Sequence, residues 1–303
     1  MNGILIIDKP AGITSHDVVS RVRRILHTKR VGHTGTLDPF ATGVMVILVG
    51  QATRLAQFLD KDTKDYEAVV RFGFETETGD RTGERKGEGE KRRSGELRVE
   101  EIAAVLPRFS GEIVQTPPMY SAKKIDGKKL YELARKGETV ERKPVAVTIH
   151  ELSMSEAPAV AGGSVGEADT ICMRVRCSAG TYIRTLAEDI GRKLGVGAHL
   201  AELRRTAAGK FSLPQSISLE ELAGLEDPAV ALIPMNDAVS HLAKFMIPED
   251  RINKTQNGLS TRVFDTEFNN DQPIQMVDAA GQLIAIGFFD AAENVIQPKV
   301  VLV

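Results

Sequence analysis

Short runs of apolar residues alternate with polar, glycine-rich stretches along most of the chain. The runs at residues 4–7 and 44–49 are typical of buried strands. Alternating apolar and polar positions over residues 171–177 predict a half-buried strand. Helical spacing after Thr14 and over residues 182–194 predicts two amphipathic helices. Further strands are predicted at 64–74, 145–149 and 201–211, and helices at 51–59, 99–106, 130–135 and 219–222.

The pattern changes near residue 246, where short β-like runs separated by turn residues begin. These runs occupy residues 261–264, 274–277, 283–289 and 300–303. We therefore expect one large domain over residues 1–240 and a small all-β domain over residues 246–303, near the lower size limit for independent folding. Residues 75–96 are charged and nearly devoid of apolar side chains, which predicts an exposed, mobile loop, and residues 157–166 predict a hairpin tip.

Composition places the chain among ordinary soluble globular proteins. It has 303 residues, of which 42% are hydrophobic and 26% charged. No apolar run approaches the roughly 20 residues that span a bilayer, and the N-terminus is typical of a strand rather than a signal peptide. Cys172 and Cys177 have neither the number nor the spacing of a metal site or a disulfide framework. A cytoplasmic protein without a metal site is expected.

The net charge of −2 does not indicate a nucleic-acid-binding protein, but the charge distribution is uneven. Residues 121–143 carry eight Lys or Arg against four acids, whereas residues 237–303 carry nine acids against five bases. The basic segment is either a solvated face or a phosphate-contacting surface, and the interleaved Tyr120 and Tyr131 could stack on bases. The lysines that would contact an RNA backbone are Lys123, Lys124, Lys128 and Lys129.

The strongest candidate for chemistry is a carboxylate in the polar stretch 31–43, between two apolar segments. Pro39 restricts the backbone at Asp38, and three glycines in the stretch allow tight turns. Asp38 therefore either makes a local turn or is a reactive group. Arg184 lies one turn into a predicted helix and would keep the carboxylate ionised if that helix end faces Asp38. The residue types alone indicate a hydrolase, a transferase or an isomerase.

Six segments, taken in their order along the chain, indicate a specific protein family. Residues 2–17, 31–43, 64–68, 116–122, 177–184 and 199–205 resemble the motifs of the TruB family of pseudouridine synthases. The resemblance implies an α+β fold with a central mixed, mainly antiparallel sheet flanked by helices, and a small C-terminal PUA-like β-barrel. It also implies an RNA-clasping insertion at about 116–145. The acidic C-terminal segment departs from the family pattern, which puts its contribution to RNA binding in doubt.

The resemblance also implies roles for individual residues. Asp38 aligns with the aspartate that attacks the target nucleoside, and Arg184 with its paired arginine. Tyr66 aligns with the tyrosine that stacks on the target base and is placed to take the C5 proton. The attack point of Asp38 stays open between C6, C1′ and proton removal at C2′. The positions that line the family's substrate pocket correspond to His33, Tyr66, Tyr182 and Leu203. Lys9 and Pro10 correspond to the motif that supports the catalytic loop.

The expected activity is isomerisation of uridine 55 in the TΨC loop of tRNA, with base flipping and without a cofactor. A tRNA-folding role could accompany it. Two alternatives stay open: a guide-RNA-dependent relative working with protein partners, and a non-catalytic chaperone of tRNA. A chaperone would need the basic surface but none of Asp38, Tyr66 and Arg184. We expect a monomer without an obligate protein partner.

Overall fold

In a computed structural model of the chain, the first two apolar runs pair as antiparallel strands of the main sheet. The structure describes residues 1–59, 62–86, 97–125, 127–155, 170–264 and 267–302. The strands are β1 (Gly3–Lys9), β2 (Val31–Thr34), β3 (Thr42–Val49), β4 (Lys64–Phe72), β5 (Gly111–Gln115), β6 (Lys124–Ile125), β7 (Lys128–Lys129), β8 (Val145–Ser155), β9 (Thr170–Cys177), β10 (Ala198–Ala208), β11 (Phe211–Ser212), β12 (Ala243–Met246), β13 (Thr261–Arg262), β14 (Pro273–Val277), β15 (Leu283–Asp290) and β16 (Val295–Val301). The α-helices are α1 (Ser15–Ile25), α2 (Val99–Val105), α3 (Leu130–Ala134), α4 (Ile183–Leu194), α5 (Leu219–Gly224), α6 (Met235–Ala238) and α7 (Ile252–Gln256).

The main sheet brings together strands that are distant in sequence. Its order is β1-β3-β10-β4-β9-β8-β5, with β2 beside β3 and β11 beside β10. Strand β10 runs parallel to β3 and antiparallel to β4, whereas the other pairs are antiparallel. The fold is therefore α+β with a mixed, mainly antiparallel sheet, as predicted. Strands β3, β10 and β4 are direct neighbours, so the segments that end or begin on them meet at one place.

The two faces of the main sheet belong to different hydrophobic cores. Alternate residues of β1 point to opposite faces. Leu5 and Ile7 pack in a core that also contains apolar residues of α1, α4 and α5, whereas Ile4 and Ile6 pack in a second core with residues of β14, β15 and β16. Helices therefore cover one face, and the C-terminal sheet packs against the other face near β1.

The C-terminal region forms a separate five-stranded sheet with the order β12-β14-β15-β16-β13. Its first strand, β12, overlaps the segment between the two predicted domains. The predicted runs at 274–277 and 283–289 are confirmed as β14 and β15. Strand β16 begins at Val295, five residues before the predicted run at 300, because its alternating burial starts there. Within the described ranges, no helix has both the length and the apolarity needed to cross a bilayer.

Local capping fixes the two helices on which the site depends. Thr14 caps α1 by accepting a hydrogen bond from the Asp17 amide, and the Asp17 carboxylate accepts one from the Thr14 amide. Such a capping box stabilises a helix start by about 1 kcal/mol. Helix α4 ends at Leu194 and is capped by Gly195, whose φ of 77° lies in the left-handed region. Both predicted amphipathic helices are thus confirmed.

Several predicted elements differ from the structure. The predicted helix at 51–59 is a 3₁₀ helix, Gly50–Phe58. Strand β10 begins at Ala198 and ends at Ala208, because Gly209 takes a positive φ of 59° and turns the chain. Strand β8 continues to Ser155 because β9 supplies partners along its length. The predicted hairpin tip at 157–166 lies outside the described residues.

The prediction of an exposed, mobile loop over residues 75–96 is wrong for residues 75–80, most of which are buried or half-buried, whereas most of residues 81–86 are exposed as predicted. Thr76 and Asp80 have only 2% and 4% of their surface exposed. A bridge from Thr76 to Arg85 closes the segment on itself, and a bridge from Asp80 to Leu200 joins it to β10. The polar side chains of its buried part form hydrogen bonds within a tight turn. Residues 87–96 lie outside the described part of the chain.

Candidate active site

Asp38 lies on the connection between β2 and β3, and this connection is held at several points. The Ser15 hydroxyl accepts a hydrogen bond from the Leu37 amide at 2.8 Å and donates one to the Leu37 carbonyl at 2.9 Å. The Ala41 amide donates to the Asp38 carbonyl at 3.1 Å. Because these contacts fix the backbone on both sides of Asp38, the direction of its carboxylate is set before any substrate binds.

Lys9 holds the same loop in place through hydrogen bonds to backbone carbonyls. Its ammonium group is fully buried and donates hydrogen bonds to the carbonyls of Ala41 at 2.6 Å, Pro10 at 3.0 Å and Pro39 at 3.2 Å. Burial lowers the pKa of Lys9 to about 8, and the negative charge of Asp38 opposes this shift. The geometry thus supports the predicted structural role of Lys9, whereas Pro10 contributes a backbone carbonyl.

Arg184 meets Asp38 through a forked ion pair. Its Nε lies 2.8 Å from Oδ2 of Asp38, and its Nη2 donates to Oδ1 at 3.2 Å. The guanidinium also donates to the carbonyls of Thr78 at 2.6 Å and Tyr120 at 2.7 Å. Only 5% of the Arg184 side chain is exposed, whereas 31% of the Asp38 side chain remains open. The carboxylate therefore has a fixed orientation and an accessible side, as a nucleophile or a base requires.

Helix α4 presents Arg184 at its start because Gln115 holds the helix end in place. The Tyr182 amide donates to the Gln115 side-chain oxygen at 3.0 Å, and the Gln115 side-chain amide donates to the Tyr182 carbonyl at 3.2 Å. The first of these bonds satisfies a backbone N–H of the kind that a helix start leaves unpaired, and the Tyr182 carbonyl also accepts the Leu186 amide of the helix. The condition stated for Arg184, that this helix end faces Asp38, is met.

A second carboxylate lies on the far side of Arg184. Oδ2 of Asp80 is 4.0 Å from Nη1 of Arg184, and Oδ1 of Asp80 accepts hydrogen bonds from the Thr78 hydroxyl and the Thr82 amide. Arg184 thus lies between two carboxylates. Burial raises the pKa of Asp38, the Arg184 charge lowers it, and the negative charge of Asp80 raises it.

Asp38 opens into a cavity of about 260 Å³ between the main sheet and the start of α4. This volume is close to the lower end of small-ligand pockets, which occupy about 300–1,000 Å³, so it suits a single ring system. Tyr66 on β4 supplies an aromatic wall and is 9% exposed, and Leu203 on β10 is 6% exposed. Tyr182 also lines the cavity. Burial raises the pKa of the Tyr66 hydroxyl, and the charge of Arg205 opposes this.

His33 lies apart from this cavity. It lines a second, larger space of about 750 Å³ on the other side of Asp38, together with His16, Tyr131 and Arg135. Burial lowers the pKa of His33, and the Arg205 charge acts in the same direction, so both favour the neutral form of the ring. The two spaces share Asp38 and Arg184, which makes the ion pair the junction of one continuous cleft.

The basic segment forms a small subdomain above the cleft. Strands β6 and β7 pair as a short hairpin and lead into α3, whose Leu130 and Leu133 are buried. Lys128 is exposed and Lys123 half-buried, while the side chains of Lys124 and Lys129 lie outside the described part. Among the described residues, no group of three His, Cys, Asp or Glu side chains is arranged to hold a metal ion.

Sequence reasoning missed four residues that shape the site. Gln115 and Ser15 act through backbone hydrogen bonds, which leave no recognisable pattern in a sequence. Asp80 follows Thr78 and Gly79 in a run of turn-forming residues, and this run was the available signal for a tight, ordered turn. Arg205 belongs to a matched motif, but it is only 1% exposed, and this burial could not be predicted without the neighbouring strands.

Comparison with known proteins gives a consistent result. The family described as TruB family pseudouridylate synthase (N terminal domain) matches residues 23–183, and the tRNA pseudouridylate synthase B C-terminal domain matches residues 184–251. The chain is 42% identical to tRNA pseudouridine synthase B of Solibacter usitatus over 100% of both chains. It is 40% identical to the protein of the same name from Bacillus pumilus over 100% of this chain and 98% of that one.

Among solved structures, a chain of a Cbf5-Nop10-Gar1 complex is similar in fold. It superimposes with a TM-score of 0.73 at 27% identity, over 99% of this chain and 85% of that chain. A structure described as an H/ACA RNP bound to a substrate RNA containing 2'-deoxyuridine gives the same TM-score at 26% identity, again over 99% of this chain and 85% of the other.

Proposed function

The chain belongs to the TruB family of pseudouridylate synthases, and from this premise we propose that it isomerises uridine 55 in the TΨC loop of tRNA. Its curated relatives are named tRNA pseudouridine synthase B, so the activity is pseudouridine formation in tRNA. One observation carries the assignment of the site. The forked Asp38–Arg184 pair opens into a cavity that Tyr66 and Leu203 line.

The reaction breaks the N1–C1′ bond of uridine and joins C5 to C1′. A proton leaves C5 and a proton is gained at N1, so product and substrate are isomers and no redox change occurs. The chemistry therefore needs an oriented nucleophile or base and a group that handles the C5 proton, but no cofactor. We assign the first role to Asp38 and the second to Tyr66. Attack at C6, attack at C1′ and proton removal at C2′ are all compatible with the accessible carboxylate.

The target base must leave its stack to reach Asp38, since the carboxylate lines a cavity of about 260 Å³ that suits a single ring system. We propose that the flipped uracil stacks on Tyr66, with Leu203 on its other side and Tyr182 near the sugar. His33 would contact the neighbouring nucleotides, because it faces the larger space beside Asp38. The neutral imidazole suits contact with bases better than contact with phosphates.

The basic subdomain is proposed to hold the RNA backbone. Replacing Lys123 and Lys128 by Ala should weaken tRNA binding and reduce the slope of log K against log salt by about 0.7–0.9 for each phosphate that the variant no longer neutralises. Fluorescence titration with tRNA at several salt concentrations measures this slope. The matched control replaces two exposed lysines of the acidic C-terminal sheet, Lys244 and Lys299. Equal slopes for both double variants would contradict the proposal.

A further test concerns partners. We propose that the purified chain acts alone, as a monomer, on a bare tRNA transcript. The guide-RNA-dependent alternative needs a direct test because one similar fold comes from a Cbf5-Nop10-Gar1 complex and another from an H/ACA RNP. Pseudouridine at position 55 after incubation with the transcript alone, mapped by chemical labelling and primer extension, supports the proposal. Product only in the presence of cell extract would favour the partner-dependent alternative.

The Asp80→Asn substitution should shift the pH dependence of the reaction. The negative charge of Asp80 raises the pKa of Asp38, so removal of this charge lowers that pKa. The acid limb of the pH–rate profile, measured from single-turnover rates, should therefore move to lower pH. Asparagine keeps the side-chain oxygen that accepts from the Thr82 amide. The plateau rate should fall by up to roughly 10²-fold if Arg184 moves slightly. An acid limb that stays in place or moves to higher pH would contradict this prediction.

A further inference from the structure

Arg205 is a buried cation at the active site to which the proposed reaction gives no role. It lies on β10 with 1% of its surface exposed and borders the cavity that contains Asp38. Its Nε donates to the Val44 carbonyl at 2.7 Å, and its Nη2 donates to the Gly35 carbonyl at 3.2 Å. Gly35 precedes Asp38 and Val44 follows it. A single guanidinium therefore contacts both sides of the loop that presents the carboxylate.

The same arginine lies beside the aromatic wall of the cavity, since Arg205 and Tyr66 both line it. Tyr66 and Arg205 are directly opposite each other in the antiparallel pairing of β4 and β10. Opposite residues in such a pair project from the same face of the sheet. The positive charge of Arg205 lowers the pKa of the Tyr66 hydroxyl, against the effect of burial. The cross-strand pair and the two hydrogen bonds to the loop thus connect the position of the phenol to the position of Asp38.

The charge of Arg205 calls for an explanation beyond packing. Among the described residues, no Asp or Glu oxygen lies within ion-pair distance of its guanidinium, in contrast to its neighbour Arg204, which pairs with Asp8 at 2.7 Å. A buried charge without an opposite charge is costly unless hydrogen bonds compensate for lost hydration. Its two hydrogen bonds are to backbone carbonyls. Its cross-strand neighbour Tyr66 is a group proposed to act on the substrate.

We propose that Arg205 is a positioning residue for the reaction: its guanidinium fixes the Tyr66 hydroxyl relative to the Asp38 loop and polarises that hydroxyl. This role rests on the proposed function. The ring of Tyr66 and its hydroxyl are then oriented together, so that a stacked base presents C5 to the phenol oxygen while Asp38 reaches the sugar or C6. Arg205 acts through Tyr66, whose hydroxyl it holds relative to the loop, without contact to the reacting atoms.

A double-mutant cycle separates this role from a purely structural one. We would measure single-turnover pseudouridine formation in tRNA by tritium release from uridine C5, with saturating enzyme, for Arg205→Gln, Tyr66→Phe and the double variant. Tyr66→Phe should reduce the rate by roughly 10²-fold, as expected for loss of an acid–base group. Arg205→Gln should reduce it by roughly 10- to 10²-fold alone. In the Tyr66→Phe background the further loss should be at most about twofold.

The outcomes distinguish the possible failures. If Arg205→Gln costs the same factor with and without the Tyr66 hydroxyl, Arg205 only holds the loop and the inference is wrong. Full activity of Tyr66→Phe would also overturn it. A wild-type chain that makes no pseudouridine overturns the proposed function and this role together, whereas an active wild type with equal factors overturns this role alone.

Two further variants guard against loss of folding. Arg205→Lys keeps the positive charge beside Tyr66. On a logarithmic scale, its rate should lie closer to that of wild type than to that of Arg205→Gln. If the glutamine variant unfolds, Arg205→Lys takes its place in the cycle. Arg204→Gln is the matched control, since Arg204 is adjacent on β10 but pairs with Asp8 away from the cavity. Its rate should stay within about twofold of wild type. The thermal midpoint of each variant, followed by circular dichroism, identifies any that do not fold.

Discussion

The Asp38→Asn variant should release no measurable tritium from tRNA labelled at uridine C5, a loss of roughly 10⁴-fold or more, comparable to removal of a nucleophile in other enzymes. Asparagine has the shape of aspartate and keeps an oxygen for Arg184, so the loop should retain its structure. It lacks the negative charge and the nucleophilic oxygen that each of the three candidate mechanisms requires. Binding of tRNA should therefore change little while turnover stops.

This result would separate the enzyme from a tRNA chaperone. A chaperone needs the basic subdomain but not a particular carboxylate, so its activity would survive in Asp38→Asn. The matched control is Asp8→Asn, which also removes a carboxylate from an Arg–Asp pair, in this case with Arg204. We expect Asp8→Asn to turn over at close to the wild-type rate. Normal turnover by Asp38→Asn would disprove the assignment of the active site.

The parts of the fold that sequence could predict are those with a local signal. The apolar runs of β1 and β3 and the periodic spacing of α1 and α4 determine their own structure, because burial of an apolar face is read directly from periodicity. Asp38 and Arg184 are 146 residues apart in the sequence. The sequence could say only that Arg184 would keep the carboxylate ionised if the start of its helix faced Asp38. Whether this contact forms depends on the order of strands in the sheet, which periodicity does not encode.

The errors have a different cause. In residues 75–80 the polar composition that indicated a mobile loop belongs to a turn whose side chains bond to their own backbone. The Asp80 carboxylate accepts hydrogen bonds from the Thr78 hydroxyl and from the amide and hydroxyl of Thr82, and it is buried beside Arg184. Burial of a carboxylate next to a guanidinium is a tertiary property. A charged residue in a turn therefore carries the same sequence signal whether it is solvated or part of an active site.

Arg184→Gln should cause the second-largest loss, about 10³-fold in the single-turnover rate. Preorganised groups that stabilise charge at an active site contribute on this scale. Glutamine cannot provide the fork that holds both oxygens of Asp38, and it leaves the carbonyls of Thr78 and Tyr120 with fewer donors. Removal of one partner from a buried ion pair also destabilises the fold by about 3–5 kcal/mol. Thermal unfolding of the variant measures that cost separately from the rate.

The direction in which the pH–rate profile shifts distinguishes loss of the Arg184 charge from simple unfolding of the variant. The Arg184 charge lowers the pKa of Asp38, so its removal raises that pKa, and the acid limb should move to higher pH. Asp80→Asn should move the same limb in the opposite direction. Arg184→Lys keeps the charge without the fork, so its limb should remain near that of wild type while its rate stays low. If Arg184→Gln and Asp80→Asn shifted the limb in the same direction, Asp38 would not be the group that titrates.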